Sequence, residues 1–391
     1  MRVVIVGAAY AGLACALELA RKAPSNTEVT LINTSDQFVE RIRLHEQAAG
    51  RAAPAFDLSA FLRGTRVRLE VGRVERVDLA ARRVHLESTS LGWDRLVLAL
   101  GSRTARDAVP GVREHACTLD ADDAARLAEA MPELVRRGGH VVVVGGGLTG
   151  IEAATELAES HPSLRVSLLT CGAFASELAP KSRTHLTAVM RRLGVRIHEH
   201  TRARRLERGL LHTDGSAIPF DACVWSAGFE APPLARAAGL ALTTSGQVVS
   251  DAMLRAEGRD DVYVAGDLLA LRAQRGDPLT QGCKSAFPTG LHVAANLIRE
   301  ARGEPPHPYV HRAVFFCVSL GRRDALLQFP SADLRAARRV WTGKRAARVK
   351  ALIVDGTRWM LVAQRTLARL AERLRPAPRA LPEASAVVEP R

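Results

Sequence analysis

The sequence predicts an α/β protein in which two three-layer domains, each wound around a parallel sheet, are followed by a smaller C-terminal α+β domain. An apolar run at residues 3–6 meets a glycine turn and then a helical pattern. The same order recurs about 140 residues later, from residue 141. Further apolar strands after the second copy return the chain to the first domain, so we expect the second domain to be inserted in the first.

The first glycine turn reads Gly-Ala-Ala-Tyr-Ala-Gly over residues 7–12. Gly7 permits a tight turn, the small residue Ala9 lets the backbone approach a pyrophosphate, and Gly12 allows close packing of the helix. The helix N-terminus offers free N–H groups to an anion. The motif is typical of a Rossmann-like dinucleotide site, although one such turn also occurs in unrelated strand–helix units.

The second glycine turn contains all three glycines of the dinucleotide motif, at Gly145, Gly147 and Gly150. Two copies at this spacing favour two successive nucleotide-binding domains. The strand after the second helix ends without a carboxylate that would repel a 2′-phosphate, and Lys181 and Arg183 follow it. The sequence is therefore compatible with both NADH and NADPH.

Composition limits the classes of protein to consider. The chain has 391 residues and is 47% hydrophobic, which suits two or three globular domains. Its six cysteines are scattered without a CxxC pair, so we expect neither a metal site nor a redox dithiol. The apolar start is interrupted by the glycine turn, and no long uncharged apolar segment follows. We expect a cytoplasmic protein.

Positive charge is concentrated near the C-terminus. Residues 335–375 contain twelve Lys or Arg against Asp355 and Glu372, and therefore carry +10 of the net charge of +14. Apolar residues recur there at helical spacing, which predicts basic amphipathic helices, with a break at residues 355–357. Such helices suit the inner face of a membrane, an acidic carrier protein, or packing against the body or a second subunit. No aromatic interleaving accompanies the arginines, so no nucleic acid is expected.

Several polar residues stand at predicted strand ends or near them. The second strand ends at Asn33, which can hydrogen-bond ribose hydroxyls, and Arg41 lies in a basic stretch that follows. Asp267 ends a buried strand, where a carboxylate is better explained by a polyhydroxyl ligand than by the core. Residues 67–71, 73–77 and 83–86 are predicted to be short antiparallel strands. The predicted domains are residues 1–110 with 230–304, 111–229, 305–375 with a β-hairpin and the basic helices, and a disordered tail at 376–391.

Four motifs, at residues 3–12, 96–102, 141–152 and 262–267, agree in order and spacing with a known family. The chain resembles the two-dinucleotide-binding-domain flavoproteins of the pyridine nucleotide-disulfide oxidoreductase superfamily, and most of all their type II NADH dehydrogenase branch. The resemblance spans about residues 1–330. It implies that FAD is held non-covalently, that NADH or NADPH donates a hydride to it, and that a second substrate takes the electrons.

The resemblance also assigns site residues. Glu152, just after the second glycine turn, would orient the nicotinamide; a carboxylate favoured by the helix dipole is the alternative. Lys284 would stabilise the anionic reduced ring or point to solvent, and Cys317 would approach the ring or serve as a structural thiol. The residues expected to contact FAD are Gly7, Ala9, Gly12, Asn33, Arg41, Val74, Gly101, Gly266, Asp267 and Ala286, and those expected to contact the nicotinamide nucleotide are Gly145, Gly147 and Gly150.

The acceptor remains open at this level. The leading hypothesis is an FAD-dependent NAD(P)H dehydrogenase that reduces a quinone or a quinone-like compound at a membrane surface, with a homodimer also admissible. However, quinone-reducing members carry an Ala-Gln pair where this chain has Cys283 and Lys284. One alternative is a soluble oxidoreductase that reduces a ferredoxin-like carrier or an aromatic metabolite. The other is a flavoprotein whose cofactor is structural or regulatory and whose arginine-rich segment binds nucleic acid.

Overall fold

The computed structural model describes residues 1–52, 55–270, 282–311, 315–330 and 337–375. The helices are α1 Tyr10–Lys22, α2 Leu44–Ala48, α3 Leu58–Leu62, α4 Val112–His115, α5 Ala121–Arg137, α6 Leu148–Ser160, α7 Pro180–Arg192, α8 Leu234–Ala237, α9 Cys283–Ala301 and α10 Gly343–Arg373.

The strands are short, and most belong to one of two parallel sheets or to small antiparallel sheets. They are β1 Arg2–Val6, β2 Glu28–Asn33, β3 Gln37–Val39, β4 Ala55–Asp57, β5 Val67–Val71, β6 Val74–Asp78, β7 Arg83–Leu86, β8 Ser90–Gly92, β9 Arg95–Leu98, β10 Arg103–Thr104, β11 Cys117–Thr118, β12 His140–Val144, β13 Arg165–Leu169, β14 Arg196–His198, β15 Ala203–Glu207, β16 Leu210–Thr213, β17 Ala217–Pro219, β18 Ala222–Trp225, β19 Phe229–Glu230, β20 Val248–Val249, β21 Val262–Val264, β22 Leu269–Ala270, β23 Phe316–Ser319, β24 Ala325–Pro330 and β25 Ala337–Thr342.

Two five-stranded parallel sheets organise the molecule. The first has the order β21-β9-β1-β2-β5 and the second the order β11-β18-β12-β13-β14. The chain leaves the first sheet after β9, builds the whole second sheet, and returns with β21, which pairs with β9. The predicted α/β class and the insertion are therefore confirmed. Ligands bind at the carboxyl ends of strands in such sheets, so each sheet presents a site at that edge.

Helix α1 covers the first sheet and crosses α9 at close range. A Cβ atom at Gly290 would lie 2.2 Å from the backbone oxygen of Ala11, so only glycine allows this crossing. Leu13 and Leu17 of α1 are fully buried in the same core as Val293 and Leu297 of α9. This packing fixes the start of α1, and with it the first glycine turn, against the carboxyl ends of the strands.

Helix α2 comes from the first part of the chain but packs into the second core. Leu44 and Ala48 are buried there with Met131 of α5 and with Ile151 and Leu157 of α6. The two nucleotide-binding parts are thus tied together close to the start of α6.

Two predicted features of the strands and the C-terminal segment were wrong. Strand β5 was expected to be antiparallel, but it pairs in parallel with β2, so it belongs to the large sheet. The basic segment was expected to contain two helices, but it forms strand β25 and one continuous helix, α10. The predicted hairpin is present as the antiparallel pair β23 and β24.

The expected helix break at residues 355–357 fails for a tertiary reason. Glycine within a helix costs about 1 kcal/mol relative to alanine, but Val354 and Thr357 on either side of this site are buried. Asp355 also accepts a hydrogen bond from Arg43. These contacts outweigh the propensity of Gly356. The predicted tail, residues 376–391, lies outside the described residues. In the part of the chain that the structure describes, no helix is long and apolar enough to cross a membrane.

Candidate functional site

The first glycine turn is built for close backbone approach. Gly7 has φ +105°, and a Cβ there would lie 2.4 Å from the backbone oxygen of Ala99. A Cβ at Gly12 would lie 1.8 Å from the oxygen of Gly7. Ala9 caps α1 without a side-chain hydrogen bond, and the first turn of the helix has no acidic residue. The N-terminal N–H groups of α1 are therefore directed at a space suited to an anion.

Asn33 braces this turn. Its Oδ1 accepts a hydrogen bond from the backbone N–H of Ala8 at 3.1 Å, and its Nδ2 donates to the oxygen of Ser35 at 2.8 Å. The side chain stands at the carboxyl end of β2, where the sequence predicts a ribose contact, and part of its hydrogen-bonding capacity is used to shape the loop.

Three further predicted residues meet at the carboxyl ends of β9 and β21. Ser102 Oγ donates to Asp267 Oδ2 at 3.1 Å, and the backbone N–H of Gly282 donates to Oδ1 at 2.8 Å. Arg41 donates to the backbone oxygen of Ser102 at 2.9 Å. Gly101, the residue before, has φ +67°, and a Cβ placed on it would meet nothing within 4 Å. Asp267 is thus held by hydrogen bonds at a strand end, half-exposed.

The remaining residues predicted to contact FAD divide into two groups. A Cβ at Gly266 would lie 3.2 Å from that of Ala11 and 3.8 Å from that of Ala286, so Ala286 belongs to the cradle around the start of α1. Val74 is half-buried in β6, within the separate antiparallel sheet β6-β7-β8, and packs against the first core. Val74 thus lies in a different sheet from the strands β1, β9 and β21 that surround the start of α1.

The second glycine turn repeats the first with more room. Gly145 has φ +124°, and a Cβ at Gly150 would lie 2.0 Å from the oxygen of Gly145. Gly147 caps α6, has no heavy atom within 4 Å of a Cβ placed on it, and is followed by a first turn free of acidic residues. At both glycine turns the backbone can come close to a ligand and the helix N-terminus is open, as a dinucleotide requires. The residues present therefore fit FAD at the first turn and a nicotinamide nucleotide at the second.

Glu152 lies one turn further along α6 and does not stand at an exposed helix start, which removes the helix-dipole explanation. Its side chain is only 16% exposed, and its Oε1 lies 3.3 Å from Lys350 Nζ. The backbone N–H of Ser319 donates to the same oxygen at 2.9 Å. Burial acts to raise the pKa of Glu152, but Lys350, His45 and the Ser319 N–H outweigh it and hold the pKa below its ordinary value. Glu152 is therefore a carboxylate at neutral pH.

Lys284 reaches the other end of the strand that contacts Glu152. Its Nζ lies 3.9 Å from the ring centre of Phe316, the first residue of β23, and Ser319 is the last. Cys317 lies between them, and its sulfur accepts from Lys350 Nζ at 3.5 Å. Strand β23 thus brings together both predicted catalytic residues, one from each nucleotide-binding part. Lys284 is exposed, so its charge is screened by water.

Two residues near Glu152 were missed in the sequence. Lys350 comes from α10, and only the tertiary fold shows that it faces α6. His45 is 5% exposed, and its Nε2 has no hydrogen-bond partner among the described residues. Burial lowers the pKa of His45, whereas the carboxylates of Glu152, Glu46 and Glu156 act to raise it and Arg322 to lower it. The sequence feature that could have pointed to His45 is the basic stretch around Arg41, in which the histidine lies beside the cations.

Comparisons with known proteins agree with this geometry. Residues 1–290 match the family described as pyridine nucleotide-disulphide oxidoreductase. The chain is 27% identical over 386 residues to the type II NADH:quinone oxidoreductase of Staphylococcus epidermidis, covering 90% of this chain and 94% of that protein. It is 33% identical over 327 residues to the biphenyl dioxygenase system ferredoxin--NAD(+) reductase component of Paraburkholderia xenovorans, covering 78% and 76%.

A solved structure extends the likeness to the whole fold. NDH2 of Plasmodium falciparum, solved in complex with NADH, superposes with a TM-score of 0.79 at 13% identity, covering 95% of this chain and 98% of that one. The family match includes both glycine turns, both parallel sheets and Asp267. The resemblance inferred from the four motifs is confirmed, and the chain belongs to the pyridine nucleotide-disulphide oxidoreductase family.

Proposed function

We propose that this protein is an FAD-dependent NADH dehydrogenase that passes electrons to a quinone or a quinone-like acceptor. The observation that carries the proposal is the position of strand β23. One end of β23 contacts Glu152, which follows the second glycine turn, and the other end contacts Lys284, which follows Asp267 in the sequence. The relative from Staphylococcus epidermidis, which is similar over nearly the whole chain, is named a type II NADH:quinone oxidoreductase. When bound, FAD accepts a hydride from NADH and delivers electrons to the acceptor.

The residues of the chain bind and orient the two nucleotides. Gly7, Ala9 and Gly12 would hold the pyrophosphate of FAD at the start of α1, and Gly145, Gly147 and Gly150 would hold that of NADH at the start of α6. The remaining FAD contacts would come from Asn33, Arg41, Val74, Gly101, Gly266, Asp267 and Ala286.

Glu152 and Lys284 have different electrostatic roles in this proposal. Glu152, kept ionised by Lys350, would accept a hydrogen bond that orients the nicotinamide. Lys284 would stabilise negative charge on the reduced ring by Coulomb attraction, an effect reduced by its exposure. The protein thus contributes placement and charge, while the redox chemistry belongs to the cofactors.

The experiment is anaerobic stopped-flow spectroscopy on the purified, flavin-loaded protein. NADH should bleach the flavin absorbance in a first mixing step, and menadione or a short-chain ubiquinone should restore it in a second. A colourless protein that takes up no FAD, or a flavin that NADH does not reduce, contradicts the dehydrogenase. A reduced flavin that no quinone reoxidises contradicts the acceptor.

A second acceptor has a specific observation in its favour. The relative from Paraburkholderia xenovorans is named a ferredoxin--NAD(+) reductase component, and the C-terminal segment of this chain is strongly basic. A basic surface attracts an acidic carrier protein. Mixing the reduced protein with a [2Fe–2S] ferredoxin in the same instrument ranks the two acceptors, and the faster reoxidation shows which class the protein prefers.

We propose that the protein docks on a membrane through the exposed face of α10. Leu361 and Ala368 of this helix are buried in the first core, but its opposite face is apolar and exposed, with Trp359 69% exposed. The residues of this apolar face are Leu352, Trp359, Met360, Leu367, Leu370 and Leu374. An exposed apolar stripe of this kind marks an interaction surface.

Arginines beside the apolar face favour an anionic membrane. Burial, and then the neighbouring charges of Arg365, Arg373 and Arg63, lower the pKa of Arg369. Like charges held together attract phosphate groups, and each cation near an anionic leaflet contributes about 1 kcal/mol. The apolar face would lie in the headgroup region of the membrane's inner face, with the arginines at the phosphates.

Liposome flotation tests this docking. The triple variant Trp359→Ser, Leu367→Ser, Leu370→Ser should bind vesicles of phosphatidylglycerol and phosphatidylcholine at least tenfold more weakly than the unmodified protein. The matched control is Val71→Ser with Val310→Ser, which removes exposed apolar side chains elsewhere. Equal flotation of the triple variant, or a dimer in sedimentation that the triple substitution dissociates, contradicts membrane docking.

A further inference from the structure

Helix α6 has a row of three carboxylates on one face. Glu152, Glu156 and Glu159 follow one another at spacings of four and three residues, which places them along one side of a helix. Glu156 is completely buried, and its charge therefore requires partners. The row of carboxylates begins beside the second glycine turn and continues along α6. The groups that pair with these carboxylates therefore help to set the position of that turn.

Arg322 supplies the central partner. It lies in the turn between β23 and β24, and its guanidinium pairs with Glu156 at 2.8 Å and with Glu46 of α2 at 3.0 Å. Its backbone N–H also donates to Glu159. One residue of the C-terminal domain therefore joins α6 of the second nucleotide-binding part to α2, which comes from the first part of the chain.

The neighbours of Arg322 allow this close approach. Gly321 has φ +73°, a conformation that favours glycine, and a Cβ on it would lie 2.5 Å from a carboxylate oxygen of Glu159 and displace that side chain. A second guanidinium, from Arg51, reaches Glu156 at 2.6 Å. The turn, α2 and α6 are thus held in one arrangement by directional, charge-assisted hydrogen bonds.

From these contacts we infer that Arg322 is a positioning residue for hydride transfer. It does not touch either nucleotide site but fixes the register of α6 against α2 and β23, and this register places Glu152 and the turn from Gly145 to Gly150. The inference rests on the proposed NADH dehydrogenase function. The rigid, planar guanidinium of arginine suits this task better than the ammonium of lysine, since it pairs with two carboxylates at fixed angles.

The test compares Arg322→Gln with Arg322→Lys and with Arg323→Gln as the matched control, because Arg323 is the exposed neighbour in the same turn. Anaerobic stopped-flow at saturating NADH measures the rate of flavin reduction per bound flavin. Misplacement of reacting groups by about 1 Å can cost a factor of about 100, so Arg322→Gln should slow this step about tenfold or more. Arg322→Lys should be intermediate, and Arg323→Gln should match the unmodified protein.

A deuterium isotope effect separates positioning from stability. With NADH deuterated at the transferred position, the isotope effect on flavin reduction should rise in Arg322→Gln, because hydride transfer becomes more fully rate-limiting. A purely structural role would lower the melting temperature and the flavin content but leave the rate per bound flavin and its isotope effect unchanged. That result overturns the inference.

A second variant keeps the inference testable if Arg322→Gln folds poorly. Glu46→Gln weakens the contact of Arg322 to α2, together with the longer pair of Glu46 with Arg43, and leaves the pair of Arg322 with Glu156 intact. It should slow flavin reduction severalfold at normal flavin content, and an unchanged rate likewise overturns the inference. If NADH fails to reduce the flavin of the unmodified protein, the proposed function is wrong. If NADH reduces that flavin and the Arg322 and Glu46 variants react at the same rate, the function stands and the positioning role is wrong.

Discussion

The ammonium of Lys350 on α10 lies 3.3 Å from a carboxylate oxygen of Glu152 on α6. The two side chains are 14% and 16% exposed, so this pair is shielded from water. Helix α10 therefore takes part in the candidate active site, because Lys350 is one of the groups that hold the pKa of Glu152 below its ordinary value.

Replacing Lys350 by Met should make flavin reduction sensitive to pH. Burial would then dominate, and the pKa of Glu152 should rise, as for any buried carboxyl that loses a nearby cation. Flavin reduction by NADH should fall as the pH is lowered from 8 to 5 in Lys350→Met, since the protonated form no longer orients the nicotinamide. The measurement is the stopped-flow rate across this range. Lys344→Met, an exposed lysine of the same helix, should keep the unmodified profile.

Replacing Lys284 by Met should lower the midpoint potential of the bound flavin. Removal of a cation makes the anionic reduced ring less stable, and because Lys284 is exposed the shift should be small, roughly 20 mV. Equilibration with a reference dye during slow reduction measures it. An unchanged potential would show that Lys284 has no electrostatic effect on the ring, and Lys344→Met again serves as the control.

Alanine at two glycines should separate FAD binding from NADH binding. Gly12→Ala places a Cβ 1.8 Å from the oxygen of Gly7, so the turn should distort and flavin content should fall sharply. Gly147→Ala meets nothing within 4 Å and should keep flavin, but its methyl group would enter the space left for phosphate.

We expect Gly147→Ala to weaken NADH binding by about threefold to tenfold, which corresponds to roughly 1 kcal/mol. Titration of the flavin charge-transfer absorbance with NADH measures the affinity. Gly215→Ala, which also has open space around it, should leave both nucleotides unaffected. Unchanged NADH affinity in Gly147→Ala would contradict the phosphate site at the start of α6.

His45 should make the protein less stable in mild acid. Its pKa in the folded state is lowered by burial, so the unfolded chain binds a proton more readily below the ordinary histidine pKa of about 6.5. Stability linked to His45 is therefore complete above that value and is lost as the pH falls towards 5. The expected result is that His45→Gln, compared with the unmodified protein by urea unfolding, gains relative stability between pH 7.5 and 5.5. A difference that does not vary with pH would contradict it.

The sequence by itself determined the two glycine turns, because their conformation is local. A Cβ at Gly12 or Gly150 would meet the oxygen of Gly7 or Gly145, five residues earlier, and the positive φ of Gly7 and Gly145 is a property of the turn itself. The two parallel sheets and the insertion of the second in the first followed from the order of these motifs and the strands after them.

Only the tertiary structure decided which distant side chains meet. Nothing local in the sequence shows that Lys350 pairs with Glu152 or that Arg322 joins Glu46 to Glu156, since each contact depends on how the C-terminal domain packs. The same packing carries α10 through Gly356. Local propensity is worth about 1 kcal/mol at such a position, and burial of its neighbours outweighs it.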